Sequence, residues 1–128
     1  MKQFLLSYLA AGLVFIACDA VWLSLMGPRL YKPLLQGILS DTVRPLPAIL
    51  FYILYITGIV VFAILPSTRP ILALGRGALF GLIAYATYDL TNQATLRTWP
   101  TLLTVLDLSW GALVTGLAAL LAYLIFGK

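Results

Sequence analysis

Residues 101–126 read TLLTVLDLSWGALVTGLAALLAYLIF, an apolar stretch interrupted by one charge, Asp107. At about 1.5 Å of rise per residue it would form a helix of about 39 Å. A bilayer's hydrocarbon core of about 30 Å needs only about 20 such residues. Three further stretches share this character, at about 3–26, 47–65 and 71–94. The whole chain of 128 residues is 62% hydrophobic and 9% charged, with a mean hydropathy of +1.05. Soluble domains are roughly 45–50% apolar and about 25% charged. The expected fold is therefore all-α: a polytopic membrane protein whose four transmembrane helices form a compact bundle, with residues 1–128 as one domain.

Helix-ending residues separate the runs. Gly27-Pro28 closes the first, and Pro45 and Pro47 open the second, where proline suits a first turn. Pro66 and Pro70 bracket the second loop, and Pro100 precedes the fourth run. In the first loop Leu30, Leu34, Leu35, Ile38 and Leu39 recur at helical spacing, while Arg29, Lys32, Gln36, Ser40 and Asp41 fall mostly on the other side. This pattern predicts a short interfacial helix. It would plug the bundle or act as a lid over the site beneath. Lys2 and the Phe15-Ile16-Ala17-Cys18 box faintly resemble a leader. The apolar run continues through Val21-Trp22-Leu23, which predicts a retained first helix.

Four spans put both ends of the bundle's chain on one side, here side A. It carries Lys2, Arg69, Arg76 and Lys128, against Arg29, Lys32, Arg44 and Arg97 on side B. The tie leaves orientation unassigned by the positive-inside rule and is compatible with dual insertion. The net charge of +4 forms no basic run, which argues against nucleic-acid partners. The lone Cys18 permits no internal disulfide. It reads as a small buried hydrophobe rather than a nucleophile.

Asp19, Asp89 and Asp107 lie within apolar runs, where a carboxylate costs a few kcal/mol or more. Counting along the spans, all three fall roughly 7–12 Å from the side-B interface, on three different helices. Trp22, Asn92 and Trp110 each stand three residues after an Asp. They share its helix face and are hydrogen-bond donors. Tyr85 and Gln93 flank Asp89, Thr104 precedes Asp107, and Tyr52 and Tyr55 sit at similar depth on the second span. Together these residues form the candidate ligand pocket, with Arg44 and Arg97 at its entrance or meeting a head group. Three carboxylates in a dry site need a cation or protons. Without His or Cys ligands, a metal held by Asp19, Asp89 and Asp107 would be a hard divalent ion such as Mg²⁺, Ca²⁺ or Mn²⁺. The competing structural reading makes the Asp groups interhelical glue and the Trp residues an interfacial belt, Trp99 above all.

Ala73, Gly77 and Gly81 on the third span and Gly111, Thr115 and Ala119 on the fourth, with Ala112 and Gly116 alongside, repeat at four-residue spacing. Such stripes let helices approach closely. Packing of the third span on the fourth is the first expectation; a homodimer through the same stripes is the second.

Tyr85-Ala-Thr-Tyr88-Asp89-Leu-Thr-Asn92, Ala94-Thr95, Trp99-Pro100 and Asp107 to Gly111 resemble the small bacterial membrane proteins of domain-of-unknown-function family twenty-one seventy-seven. Asp19 with Trp22-Leu23 and the segment Phe51-Tyr52 to Gly58 extend the likeness to nearly the whole chain. The resemblance implies a four-helix, multi-pass protein of the bacterial inner membrane and supplies no catalytic residues. Three functions compete. The first is binding or transport of a proton, a metal ion or a small cationic or polar ligand, with aromatic cation–π faces. The second is an enzyme acting on a lipid or isoprenoid-like substrate by Asp acid–base or metal chemistry. The third is an accessory subunit of a larger membrane complex.

Overall fold

The computed structural model describes residues 1–127, so Lys128, counted above on side A, lies outside the described residues. The described chain is helical and carries four helices long and apolar enough to cross a membrane: α1 (Lys2–Leu34), α2 (Pro45–Ile64), α3 (Pro70–Thr95) and α4 (Thr101–Phe126). The fourth expected run coincides with α4, and the second and third differ from α2 and α3 by one or two residues.

The first helix departs most from expectation. Gly27-Pro28 does not end it; the chain passes through a wide π turn, Gly27–Tyr31, and continues helically to Leu34. The Lys32 N–H reaches back to the Gly27 carbonyl across this turn. Proline breaks an α-helix because its ring strikes the preceding turn and it lacks an N–H. A widened turn relieves both demands. The separate interfacial helix is thus an extension of α1, and residues 35–44 form turns and bends. Leu30 and Leu35 are buried against Leu103 of α4.

The second helix also ends in a widened turn, Ile59–Ile64. Just before it, the Ile53 carbonyl accepts from both Thr57 Oγ1, at 2.7 Å, and the Tyr8 hydroxyl of α1, at 3.1 Å. Extra donors on a helical carbonyl draw it out of the ladder and bend the helix. The inner part of α2, Ile59–Ile64, packs on α1, α3 and α4, whereas its outer part, Pro45–Gly58, rests mainly on α1.

The most extensive interface joins α3 to α4. The small residues Ala73, Gly77 and Gly81 of α3 are buried, as are Gly111, Thr115 and Ala119 of α4. A Cβ on Gly77 would meet the Ala119 Cβ at 2.7 Å, and one on Gly81 would meet Thr115 Oγ1 at 2.6 Å. The stripes pack against each other within one chain. The core adds Phe15, Ile59, Val60, Ile64 and Val114. Leu9, Leu13, Leu54, Leu113 and Leu124 point outward, as suits a chain whose surroundings are hydrocarbon. Between such helices, close van der Waals packing replaces the hydrophobic effect as the source of association.

Replacing Gly81 by Ala should force α3 and α4 apart. We expect a loss of about 1–3 kcal/mol, measured as a lower thermal midpoint in detergent. Gly75→Ala, where an added methyl meets nothing within 4 Å, should leave the midpoint in place.

Candidate functional site

Asp19, Asp89 and Asp107 are all buried, with exposures of 8, 0 and 6%. The bundle gives each a different partner. Tyr52 of α2 donates its hydroxyl to Asp19 Oδ2 at 2.6 Å. Tyr31, in the π turn of α1, donates to Asp107 Oδ1 at 2.5 Å. The Tyr31 oxygen in turn accepts from Trp22 Nε1 at 2.9 Å. Asp89 has no hydrogen-bond partner on either oxygen, and Asp107 is the charged neighbour that acts on it.

The donors expected three residues after each Asp do not act in that way. Trp22 serves Tyr31, Trp110 Nε1 is buried without a partner, and Asn92 leaves Asp89 unbonded. Helical side chains lean back toward the N-terminus of their own helix. The donors that do serve the carboxyls are long tyrosines: Tyr52 reaches across from α2, and Tyr31 from the far end of α1. The two indoles stack face to face instead, Trp22 on Trp110 at 4.4 Å between centroids and 8° between planes.

Gln93 and Thr104 belong to a separate chain of bonds. Trp99 Nε1 donates to Thr104 Oγ1 at 3.1 Å, Thr104 donates to Gln93 Oε1 at 2.8 Å, and Gln93 Nε2 donates to Thr101 Oγ1 at 3.0 Å. This network ties the end of α3 to the start of α4, with Trp99 inside it as well as at the expected membrane level. Arg44 and Arg97 are exposed, and neither lines the cavities that reach Asp107.

Two adjoining cavities share Asp107, Tyr85 and Tyr88. The first, of about 340 Å³, is walled by Phe51, Tyr55 and Ala84 in addition. The second, of about 570 Å³, extends past Asp19, Trp110 and Tyr31 to Lys32, Ser40 and Asp41 in the first loop. Tyr55 is fixed by a 2.7 Å hydrogen bond between its hydroxyl and Thr115 Oγ1.

The three carboxyls are therefore split into a pair, Asp89 with Asp107, and a separate Asp19 bonded to Tyr52. Among the described residues no group of three or more His, Cys, Asp or Glu side chains could hold a metal ion, so the expected three-carboxylate cradle is not assembled. Sequence reasoning missed Tyr31, Phe51 and Tyr88 as cavity residues. Tyr31 had no signal in the sequence: the π turn inserts one residue, which rotates Tyr31 onto the face of Asp19 and Trp22.

Tyr31→Phe should leave both Asp107 Oδ1 and Trp22 Nε1 without their common partner. An expected cost of about 1–3 kcal/mol would appear in denaturant unfolding. In a double-mutant cycle, Tyr31→Phe should cost much less on an Asp107→Asn background.

No curated protein and no solved structure matches this chain. A protein family does, across residues 4–124. That span takes in all three buried carboxyls, the tyrosines that serve them and both cavities. The chain belongs to the family described as Predicted membrane protein (DUF2177).

Proposed function

We propose that this protein, as a multi-pass protein of a bacterial inner membrane, binds a small organic cation at Asp107 and exchanges it for a proton held between Asp89 and Asp107. One observation carries the reading: Asp107 is the only charged residue on a cavity otherwise walled by Phe51, Tyr55, Ala84, Tyr85 and Tyr88. Aromatic faces attract a desolvated cation by about 2 kcal/mol each, and the carboxylate supplies the counter-charge. The cavity's volume of about 340 Å³ is in the range of small-molecule sites.

The exchange follows from the second carboxyl. Two interacting carboxyl groups in a dry site do not both ionise; they share a proton or a cation. Asp89 has no hydrogen-bond partner of its own, so an arriving ammonium group and the shared proton compete for one site. Asp19, held by the Tyr52 hydroxyl, lines the larger cavity and offers an acceptor to a second polar group.

Equilibrium dialysis with radiolabelled tetramethylammonium tests this on purified protein. Binding should be saturable, should weaken as pH falls, and should release close to one proton per cation in weakly buffered solution. Asp107→Asn and Asp89→Asn should each lower affinity at least tenfold while the protein still inserts and folds. Retention of Mg²⁺ or Ca²⁺ in equal stoichiometry, with displacement of the amine, would assign the site to a metal ion. Full binding by both Asn variants would remove the carboxyl pair from the mechanism.

A further inference from the structure

The smaller cavity opens sideways. Its inner wall is Tyr55, whose ring stacks on Phe80 of α3 with centroids 5.2 Å apart and whose hydroxyl meets Thr115 of α4. One turn further toward side B, the backbone of α2 stands off from α3 and α4 and rests mainly on α1, to which Tyr52 binds it through Asp19. The gap so formed is rimmed by Phe51 of α2 and Tyr88 of α3, which are 44 and 57% exposed. Both lie within helices long and apolar enough to span a membrane, so a face turned out of the bundle there meets lipid. Asp107 lies at the far end, its carboxyl buried.

We infer that this gap between α2 and α3 is a lateral portal through which an amphiphilic amine enters from the bilayer, its ammonium group against Asp107 and its hydrocarbon tail lying between Phe51 and Tyr88. The inference rests on the cation-binding reading above and names the ligand class and its route. Charge complementarity selects the head group: the cavity presents one carboxylate and no basic side chain. The aromatic rim selects the tail, because an alkyl chain that stays between Phe51 and Tyr88 never leaves an apolar environment. A fully polar cation would gain nothing from this opening and would have to use the larger cavity, which reaches the first loop at Ser40 and Asp41.

The test compares decyltrimethylammonium with tetramethylammonium on protein in lipid nanodiscs. Wild-type protein should prefer the long-chain amine. Ala84→Phe narrows the cavity and should weaken binding of both amines, that of the long-chain amine at least fivefold more. Phe51→Ala removes one aromatic wall and should also weaken both, the long-chain amine about threefold more. Partition of the long-chain amine into lipid is common to all variants and cancels in these ratios. If tetramethylammonium binds but both variants affect the two amines equally, the portal falls and the cation site stands. If neither amine binds folded wild-type protein, the cation reading falls and the portal falls with it.

Discussion

A carboxyl group surrounded by hydrocarbon must find a donor, a proton or a cation, and that demand is met here only between helices. Asp19 is answered by Tyr52, joining α1 to α2. Asp107 is answered by Tyr31, joining α4 to the extended end of α1. Asp89 has no such donor and is left to Asp107 across the α3–α4 contact. Water cannot substitute for such partners in a bilayer's interior, so the side-B half of the bundle is arranged by polar need. The side-A half obeys the opposite rule, with glycine and alanine faces in contact and no buried charge among the described residues.

These two regimes leave α2 as the exception. Its inner turns are locked among Ile59, Val60 and Ile64. Its outer turns hang on α1 by Tyr52 and on α4 by the single hydroxyl of Tyr55. The bend is produced locally, since the Ile53 carbonyl takes two hydroxyl donors just before the wide turn. The site is thus built against a rigid α3–α4 pair and bounded by a segment with fewer restraints.

Much of this was readable from residues alone. Hydropathy and proline placement located α4 without error and α2 and α3 nearly so, because a span's length is set by the bilayer. The small-residue stripes announced the α3–α4 contact, because only small side chains permit that approach. The depth of the Asp residues anticipated that Asp19 and Asp107 would line one cavity. What failed was anything needing a partner's position. The spacing of Trp22 and Trp110 from their Asp residues was real, yet a helix face has angular width, and tyrosines from elsewhere in the bundle reached the carboxyls first. Pro28 was read as a stop because proline usually is one; the π turn that absorbs it has no signature in composition. That one inserted residue hid Tyr31, and with it the partner of Asp107.

The stacking of Trp22 on Trp110 has an optical consequence. Two parallel indoles with centroids 4.4 Å apart couple their electronic transitions, so the excited states of the pair split in energy. The third indole, Trp99, takes no part in that stack. Because Trp22 is bonded to the tyrosine that holds Asp107, and Trp110 lies one turn beyond Asp107 on α4, the splitting registers the separation of α1 and α4 at the carboxyl itself. The protein contains an intrinsic exciton gauge of its own interior, with no label required.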